Sequence, residues 1–419
     1  MRKIALSGLV ALAAVLGGVA VPATAMAQPT SGVRPVAVRP ADDGPVITGL
    51  PMISCVFAVD CLGVEGSSSL TDGGPASPTR VARWNGSTWK GVGVTLPAGA
   101  KSVDLNGVSC RAANSCLVVG DYYKSASENA PDYPLALSYN GTSVRPTSLV
   151  PVPKGLSGVT LDAVSCTSAT HCVAVGTANG DSSLPGADVE VAMIETWNGS
   201  KWTLHNVTAS STSSSTPQVA GVSCATTAFC VLDGTSYTVS AKGATFGTWL
   251  GSWNGTKLTT MKSAEAMEPI GISCATISNC AVAGIGLGLG STSTVTTAVT
   301  EVWNGSAWKP AKMAWPRGAD SFLLGLSCYA AHSCEAVGME GPPSGDSADA
   351  VAVSFNGTAG TVQALAAPAK GYSDDLSSVS CLPWGSCVAV GESGKSSGAS
   401  GTPMTGTWSG KAWKFHAGF

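Results

Sequence analysis

Short apolar runs recur along the chain, each closed by a glycine. Cys172-Val173-Ala174-Val175-Gly176 is one of them. Gly120, Gly234, Gly284, Gly338 and Gly391 close five others at the same place, and Glu65 stands there in the first. A second kind of run precedes each of these. It reads small residue, branched aliphatic, Ser, Cys, as in Gly107-Val108-Ser109-Cys110, and Met52 is the one large residue at its first position. Alternation over such a run predicts a β-strand with the small residue and Ser on one face and the aliphatic on the other. A third run centres on Asn-Gly: Trp84-Asn85-Gly86, Tyr139-Asn140-Gly141, Trp197-Asn198-Gly199, Trp253-Asn254-Gly255, Trp303-Asn304-Gly305 and Phe355-Asn356-Gly357, with Trp408-Ser409-Gly410 last. Asn-Gly between apolar runs predicts a hairpin with a type I′ turn, whose two central residues need positive φ. In that turn Trp84 faces Ser87 and Ala82 faces Trp89, so the two indoles pack diagonally.

The cysteines stand as seven pairs: Cys55/Cys61, Cys110/Cys116, Cys166/Cys172, Cys224/Cys230, Cys274/Cys280, Cys328/Cys334 and Cys381/Cys387. Each pair encloses five residues, and successive pairs begin 55, 56, 58, 50, 54 and 53 residues apart. A repeat longer than the ~33–47 residues of helical repeats points to propeller blades. Each repeat carries four strands, A to D, with the Cys pair between A and B and Asn-Gly between C and D. The expected fold is all-β: a seven-bladed β-propeller with four antiparallel strands and one disulfide per blade. An open stack of repeats is the alternative, although β-solenoids use shorter periods. Small residues on strand A suit the crowded axis. The blades are expected at about 46–98, 99–153, 154–213, 214–263, 264–315, 316–368 and 369–419. The ring would then close without a blade built from both termini. Two Cys flanking so tight a loop suit the ~5.5 Å Cα separation of a disulfide. The five-residue gap fits neither zinc ligand pairs nor C-x-x-C redox motifs, so local structural bridges are expected.

Arg2 and Lys3, the apolar Ile4–Val21 and the small-x-small Ala25-Met26-Ala27 read as a secretory signal cleaved after Ala27. A membrane anchor is the alternative, and the glycines and the cleavage motif argue for removal. Residues 28–45, rich in Pro, Thr and Asp, read as a flexible leader. No second long apolar run follows, so no membrane insertion is expected after cleavage. The expected location is extracellular, where disulfides persist. The net charge is −3 and charged residues are 12 %. No basic surplus exists to meet nucleic acid or an anionic membrane. Apolar residues at 44 % supply a large core.

The Asn-Gly turn resembles the Asp-box of secreted propellers such as sialidases, S-x-D-x-G-x-x-W between the third and fourth strands. Gly86 to Trp89, Gly199 to Trp202, Gly305 to Trp308 and Gly410 to Trp413 keep its spacing. Trp197 stands where that family has Asp, and Glu195 where it has Ser. The resemblance covers the turn of each blade and the blade plan, and it implies architecture. In that family the Asp-box lies away from the active face. The Ser-Cys-x5-Cys repeat also resembles that of secreted bacterial proteins, which implies extracellular location.

In such a blade the A–B and C–D turns share one end of the ring, and the B–C and D–A loops share the other. The loops vary here and the turns do not, so function is expected at the loop end. A sialidase-like site needs several arginines, but Arg34, Arg39, Arg80, Arg83, Arg111, Arg145 and Arg317 are scattered. His171 and His332 sit in A–B turns, and His205 and His416 at equivalent strand D positions, so no nucleophilic triad is expected. Loop acids are numerous, among them Asp121, Asp132, Asp233, Asp374, Asp375 and Glu392, and no pair stands out. No metal pattern or cofactor motif is present. Aromatics outside the repeat are the candidate ligand contacts: Tyr122, Tyr123 and Tyr133 around the long B–C loop of blade 2, Trp315 and Phe322 around the connection to blade 6, and Tyr372 before blade 7. Exposed rings give platforms for sugars or protein anchors, and the competing reading packs each ring into its own loop. Six Asn-Gly turns also spell N-x-S/T sequons, which the turn chemistry produces by itself. The expectation is a secreted, non-catalytic, monomeric scaffold binding a polysaccharide, cell-wall component or extracellular protein through the loop end. The alternative is an extracellular glycoside hydrolase or lyase, which a facing carboxylate pair with one raised pKa would favour.

Overall fold

A computed structural model describes residues 52–65, 67–68, 81–125, 132–152, 156–180, 190–206, 215–240, 243–287, 295–315, 319–342, 348–365, 372–395 and 402–417. The signal and leader readings fall outside them. The described residues form seven sheets in chain order. In blade 3 strand A is Leu156–Ser168, B is His171–Gly180, C is Glu190–Trp197 and D is Trp202–Asn206, all antiparallel. The same four-strand plan holds in every blade, from Met52–Phe57 as strand A of blade 1 to Trp413–Ala417 as strand D of blade 7. Blades 2 and 6 gain short strands. Gly93–Val94 runs parallel along the outer strand of blade 2, and Lys312–Met313 does so along that of blade 6. These connections cover outer edges that would otherwise offer unpaired backbone.

The core lies between blades rather than within them. Seven apolar clusters alternate with the blades around the ring, such as Leu117, Val119, Leu161, Val164, Trp197 and Trp202 between blades 2 and 3. Ile53, Cys61, Trp84 and Trp89 pack on Val388 and Val390 between blades 1 and 7. Strand A carries a bulge four residues before its first Cys in blades 2 to 7. The glycine closing strand B faces that bulge, and a Cβ on Gly176 would stand 2.0 Å from Thr160 O. The small residue after the bulge admits the neighbouring blade: a Cβ on Gly325 would lie 2.7 Å from Ser378 Cα. The crowding expected at the axis is therefore real.

The repeated serine has a partner one blade away. Ser54 Oγ accepts the Cys110 N–H at 2.9 Å, Ser109 the Cys166 N–H at 3.0 Å, and Ser165 the Cys224 N–H at 2.9 Å. Ser223, Ser273 and Ser327 continue to Cys274, Cys328 and Cys381 at 2.8–2.9 Å. Ser380 closes the circle on Cys55 N at 2.9 Å. Ser378, standing where blades 2 to 6 have Gly or Ala, adds a bond to Ile53 N at 3.2 Å. A hydrogen-bonded girdle thus joins all seven blades, and among the described residues no blade mixes strands from both ends of the chain.

All seven disulfides form, one per blade: Cys55–Cys61, Cys110–Cys116, Cys166–Cys172, Cys224–Cys230, Cys274–Cys280, Cys328–Cys334 and Cys381–Cys387. Their Cα atoms are 3.8–4.0 Å apart, closer than the loop geometry suggested, because the two Cys face each other directly across strands A and B. The second Cys of each pair is buried on strand B. Cys280 packs into the apolar cluster between blades 4 and 5, Cys334 into that between blades 5 and 6, and Cys387 into that between blades 6 and 7. The bridges are thus part of the core as well as clasps on the hairpins.

The C–D hairpins form too, but not as type I′ turns. Trp84 pairs with Trp89 itself, around four residues. Only the Gly of the turn has positive φ, +94° at Gly86. The Asn side chain supplies the reason. Asn85 Oδ1 accepts the Ser87 N–H at 3.0 Å, the Thr88 N–H at 2.8 Å and the Ser87 hydroxyl at 2.9 Å. This side-chain turn replaces the backbone one and explains the Ser or Thr after Gly. The directly paired indoles sit 5.5 Å apart at Trp84/Trp89 and 5.2 Å at Trp197/Trp202.

Candidate functional site

In blades 2 to 7, strand pairing next to the bulge defines one equivalent position per blade at the loop end. It holds the residue six before the first Cys and the residue after the strand B glycine. In blade 3 these are Thr160 and Thr177, whose hydroxyls are 3.1 Å apart. In blade 4 they are Gln218 and Thr235, with Oε1 and Oγ1 at 3.5 Å. Blades 2 and 7 place two carboxylates there, Asp104 with Asp121 and Asp375 with Glu392. Like charges so close cannot both ionise freely.

Blade 2 builds the denser group. Asp121 is buried, and Asn106, the bulge residue, donates to its Oδ1 at 3.2 Å and to Leu161 O at 3.2 Å. Burial, then Asp104, Asp132 and Asp162, hold the Asp121 carboxyl well above the usual carboxylate range. Asp121 is therefore a proton holder among neighbouring acids. Burial, then Asp121, Asp132 and Asp104, push the Tyr123 hydroxyl up, and Asp132 accepts its hydrogen bond. In blade 7, burial and then Glu392 raise Asp375 to about 7. Asp374 beside it is also raised, by burial first. Among the described residues no His, Cys, Asp and Glu group has the arrangement of a metal site.

Three of the sequence-predicted contacts come together here. Tyr122 stacks on Tyr133 with centroids 5.3 Å apart, and Lys124 Nζ lies 4.2 Å from the Tyr133 ring centre. Tyr122 is buried, so it supports the stack rather than facing solvent. Phe322 is buried between strands. Trp315 is half-buried, packs against the core between blades 5 and 6, and donates from Nε1 to Ala298 O at 3.3 Å. Tyr372 begins strand A of blade 7, and its side chain lies outside the described residues. The half-cystines Cys280, Cys334 and Cys387 are closed to any ligand by their burial, so they serve the scaffold and no site. Exposed rings occur at the turn end instead: Trp384 is 63 % exposed and stacks on Phe57 at 6.4 Å. Sequence reasoning missed Asp104, Asp162 and Trp384. The spacing of Asp104 from Cys110 and of Asp121 from Gly120 was the readable signal for the acid pair.

The remaining cations do not converge. Arg83 pairs with Asp60 at 2.7 Å, and Arg111 Nε donates to Cys166 O on the next blade. Three buried acids with raised carboxyls lie away from the loop end. Glu195 and Asp233 stand between blades, and burial raises them to about 8 and about 7. Glu335 is raised to about 7 for the same reason. Glu301, at the strand C position of Glu195, is instead capped by the N–H groups of Ala264 at 2.9 Å and Glu265 at 2.7 Å.

No protein-family model and no curated protein matches the sequence. Solved structures do match in shape. A polysaccharide lyase described as an ulvan lyase of a new family is 8 % identical, with 88 % of this chain and 96 % of that one covered at a TM-score of 0.53. YCF48 bound to a D1 peptide is 13 % identical over 85 % and 97 %, at 0.48. The fucose-specific lectin from Aleuria aurantia is 11 % identical over 75 % and 95 %, at 0.40. The likeness to the lyase is one of fold, and the chain is a seven-bladed β-propeller with a disulfide in every blade.

Proposed function

We propose that this chain is a secreted propeller that binds a polysaccharide through its loop end, over blades 2 and 3. The observation that carries the reading is the Asp104, Asp121, Asp132 and Asp162 group beside Tyr123 and Asn106. Carboxylates and amides at one rim meet sugar hydroxyls by charge-assisted hydrogen bonds. An acidic rim suits a neutral or amino-bearing chain and repels a polyanion. The disulfides support the secreted setting, and no described helix is long and apolar enough to cross a membrane.

A second reading is favoured by one observation. Burial, with Asp104, Asp132 and Asp162 beside it, holds the Asp121 carboxyl well above the usual carboxylate range, as suits a general acid. In that reading the chain cleaves the polysaccharide it binds, as a hydrolase or lyase. One experiment separates the two. The mature protein and its Asp121→Asn and Asp132→Asn variants are passed over insoluble polysaccharides and bacterial cell walls, and the supernatants are assayed for new reducing ends and unsaturated products. Retention lost in the variants, without product, supports a binding face. Product released by the parent and lost in Asp121→Asn supports the enzyme. No retention and no product would refute both.

A further inference from the structure

The turn end holds a cleft that the repeat alone does not explain. It lies between blades 3 and 4 and measures about 200 Å³. That is room for about six or seven waters at ~30 Å³ each, the bulk of one hexose ring. The indoles of Trp197 and Trp253 form part of its wall. Its polar lining comes from Thr167, His171, Thr196, Asn198, Thr226 and Thr227, and among the described residues no Asp, Glu, Lys or Arg lines it.

The joint between blades 7 and 1 is an internal control. There Thr407 Oγ1 meets His416 Nε2 at 3.2 Å, His416 stands edge-on to Trp84 at 5.5 Å, and Trp84 Nε1 donates to Ala58 O at 3.2 Å. The joint between blades 3 and 4 repeats the trio. Thr196 Oγ1 meets His205 Nε2 at 3.0 Å, and His205 stands edge-on to Trp253 at 5.0 Å. But Trp253, only 3 % exposed, has no acceptor for its Nε1 among the described residues. The same side chains complete one joint and leave an unmet donor behind a cleft at the other.

We propose that this cleft binds a single neutral sugar residue, such as the exposed end of a glycan. The parts of the two largely buried indoles that line the cleft offer apolar contact to the C–H groups of the ring. The threonine hydroxyls and the imidazole offer donors and acceptors to its hydroxyls. The uncharged lining selects a neutral ligand over an acidic or amino sugar. A buried unmet N–H is costly, and a sugar oxygen relieves that cost. The nitrogen lies beneath the surface under the exposed Thr226–Thr227 turn, so contact with it requires that turn to move.

Saturation-transfer NMR of the whole chain with glucose, galactose, mannose and N-acetylglucosamine tests this. One of them should bind with a Kd of order 1 mM, the range of a ligand of about a dozen heavy atoms. Thr227→Arg blocks the mouth from an exposed turn and should weaken binding at least tenfold. Trp253→Phe keeps a ring and removes the N–H, and should weaken binding about fivefold, the worth of one hydrogen bond. Trp84→Phe, the same change at the control joint, should leave binding unchanged. No transfer from any sugar at tens of millimolar, or binding that Thr227→Arg leaves intact, overturns the proposal. These residues lie at the opposite end from Asp121, so failure here and failure of the loop-end reading are separate results.

Discussion

The two ends of the ring follow opposite rules. At the turn end the same devices recur blade after blade: a disulfide in each, a serine reaching the next blade from each, and an asparagine side-chain turn in blades 1 to 5. At the loop end one structural position holds a different pair in each of blades 2 to 7. It is Thr160/Thr177 in blade 3, Asp104/Asp121 in blade 2 and Phe322/Met339 in blade 6. The backbone is common to all three, so the difference is one of side-chain chemistry. Sameness here marks what assembles the ring, and difference at equivalent positions marks where it meets something else.

The comparison can be broken at several strengths. Gly176→Ala should do most harm. Its Cβ would stand 2.0 Å from Thr160 O, a backbone atom that cannot step aside, so a loss of ~3 kcal/mol or failure to fold is expected in denaturant unfolding. Removing one disulfide with Cys166→Ser and Cys172→Ser should cost ~2 kcal/mol, the loop-entropy worth of so short a closure.

The buried acids between blades give a pH signature. Glu195 near 8 and Asp233 near 7 lie above the ~4 of unfolded carboxylates. The folded chain therefore holds their protons more tightly than the unfolded chain does. Their stabilisation is present below about pH 4 and is lost as pH rises towards 7–8. The melting temperature should fall between pH ~5 and ~8.5, and Glu195→Gln with Asp233→Asn should flatten that slope. A parent protein with no such slope would contradict the assignment.

Asn198→Ala removes bonds from Asn198 Oδ1 to the N–H groups of Ser200 and Lys201 and should cost ~1 kcal/mol. The smallest structural effect belongs to the loop end. Asp121→Asn should leave the melting temperature unchanged or slightly raised near neutral pH while polysaccharide retention is lost. An equal loss of stability would place Asp121 with the scaffold and dissolve the contrast between the two ends.

The blade count and the disulfides are legible in the sequence because cysteine spacing encodes both directly. The burial of Cys280, Cys334 and Cys387 is not, since it depends on the blade that packs beside each. The serine girdle is only half visible. Ser109 recurs in every repeat, yet its partner Cys166 N lies 57 residues on and meets it only when blades pack. The turn type escapes a reading of Asn85 by its backbone, because its carboxamide does the bonding. The acid group is hidden for a topological reason. Asp104 and Asp121 meet through strand pairing past a bulge, and Asp162 arrives from another blade. Burial of Tyr122 and Phe322 follows from packing that composition does not report.

The serine girdle also says something about where this chain needs to begin. Ser380 holds Cys55 by the bond that Ser165 uses to hold Cys224, so in this bond the joint between the last and first blades matches the six inside the chain. A protein with its ends linked and a new opening cut between blades 4 and 5 should wind into the same ring. In such a circle the start of synthesis is an accident of the gene, and insertion or loss of one whole repeat alters the circumference without asking any joint to change its chemistry.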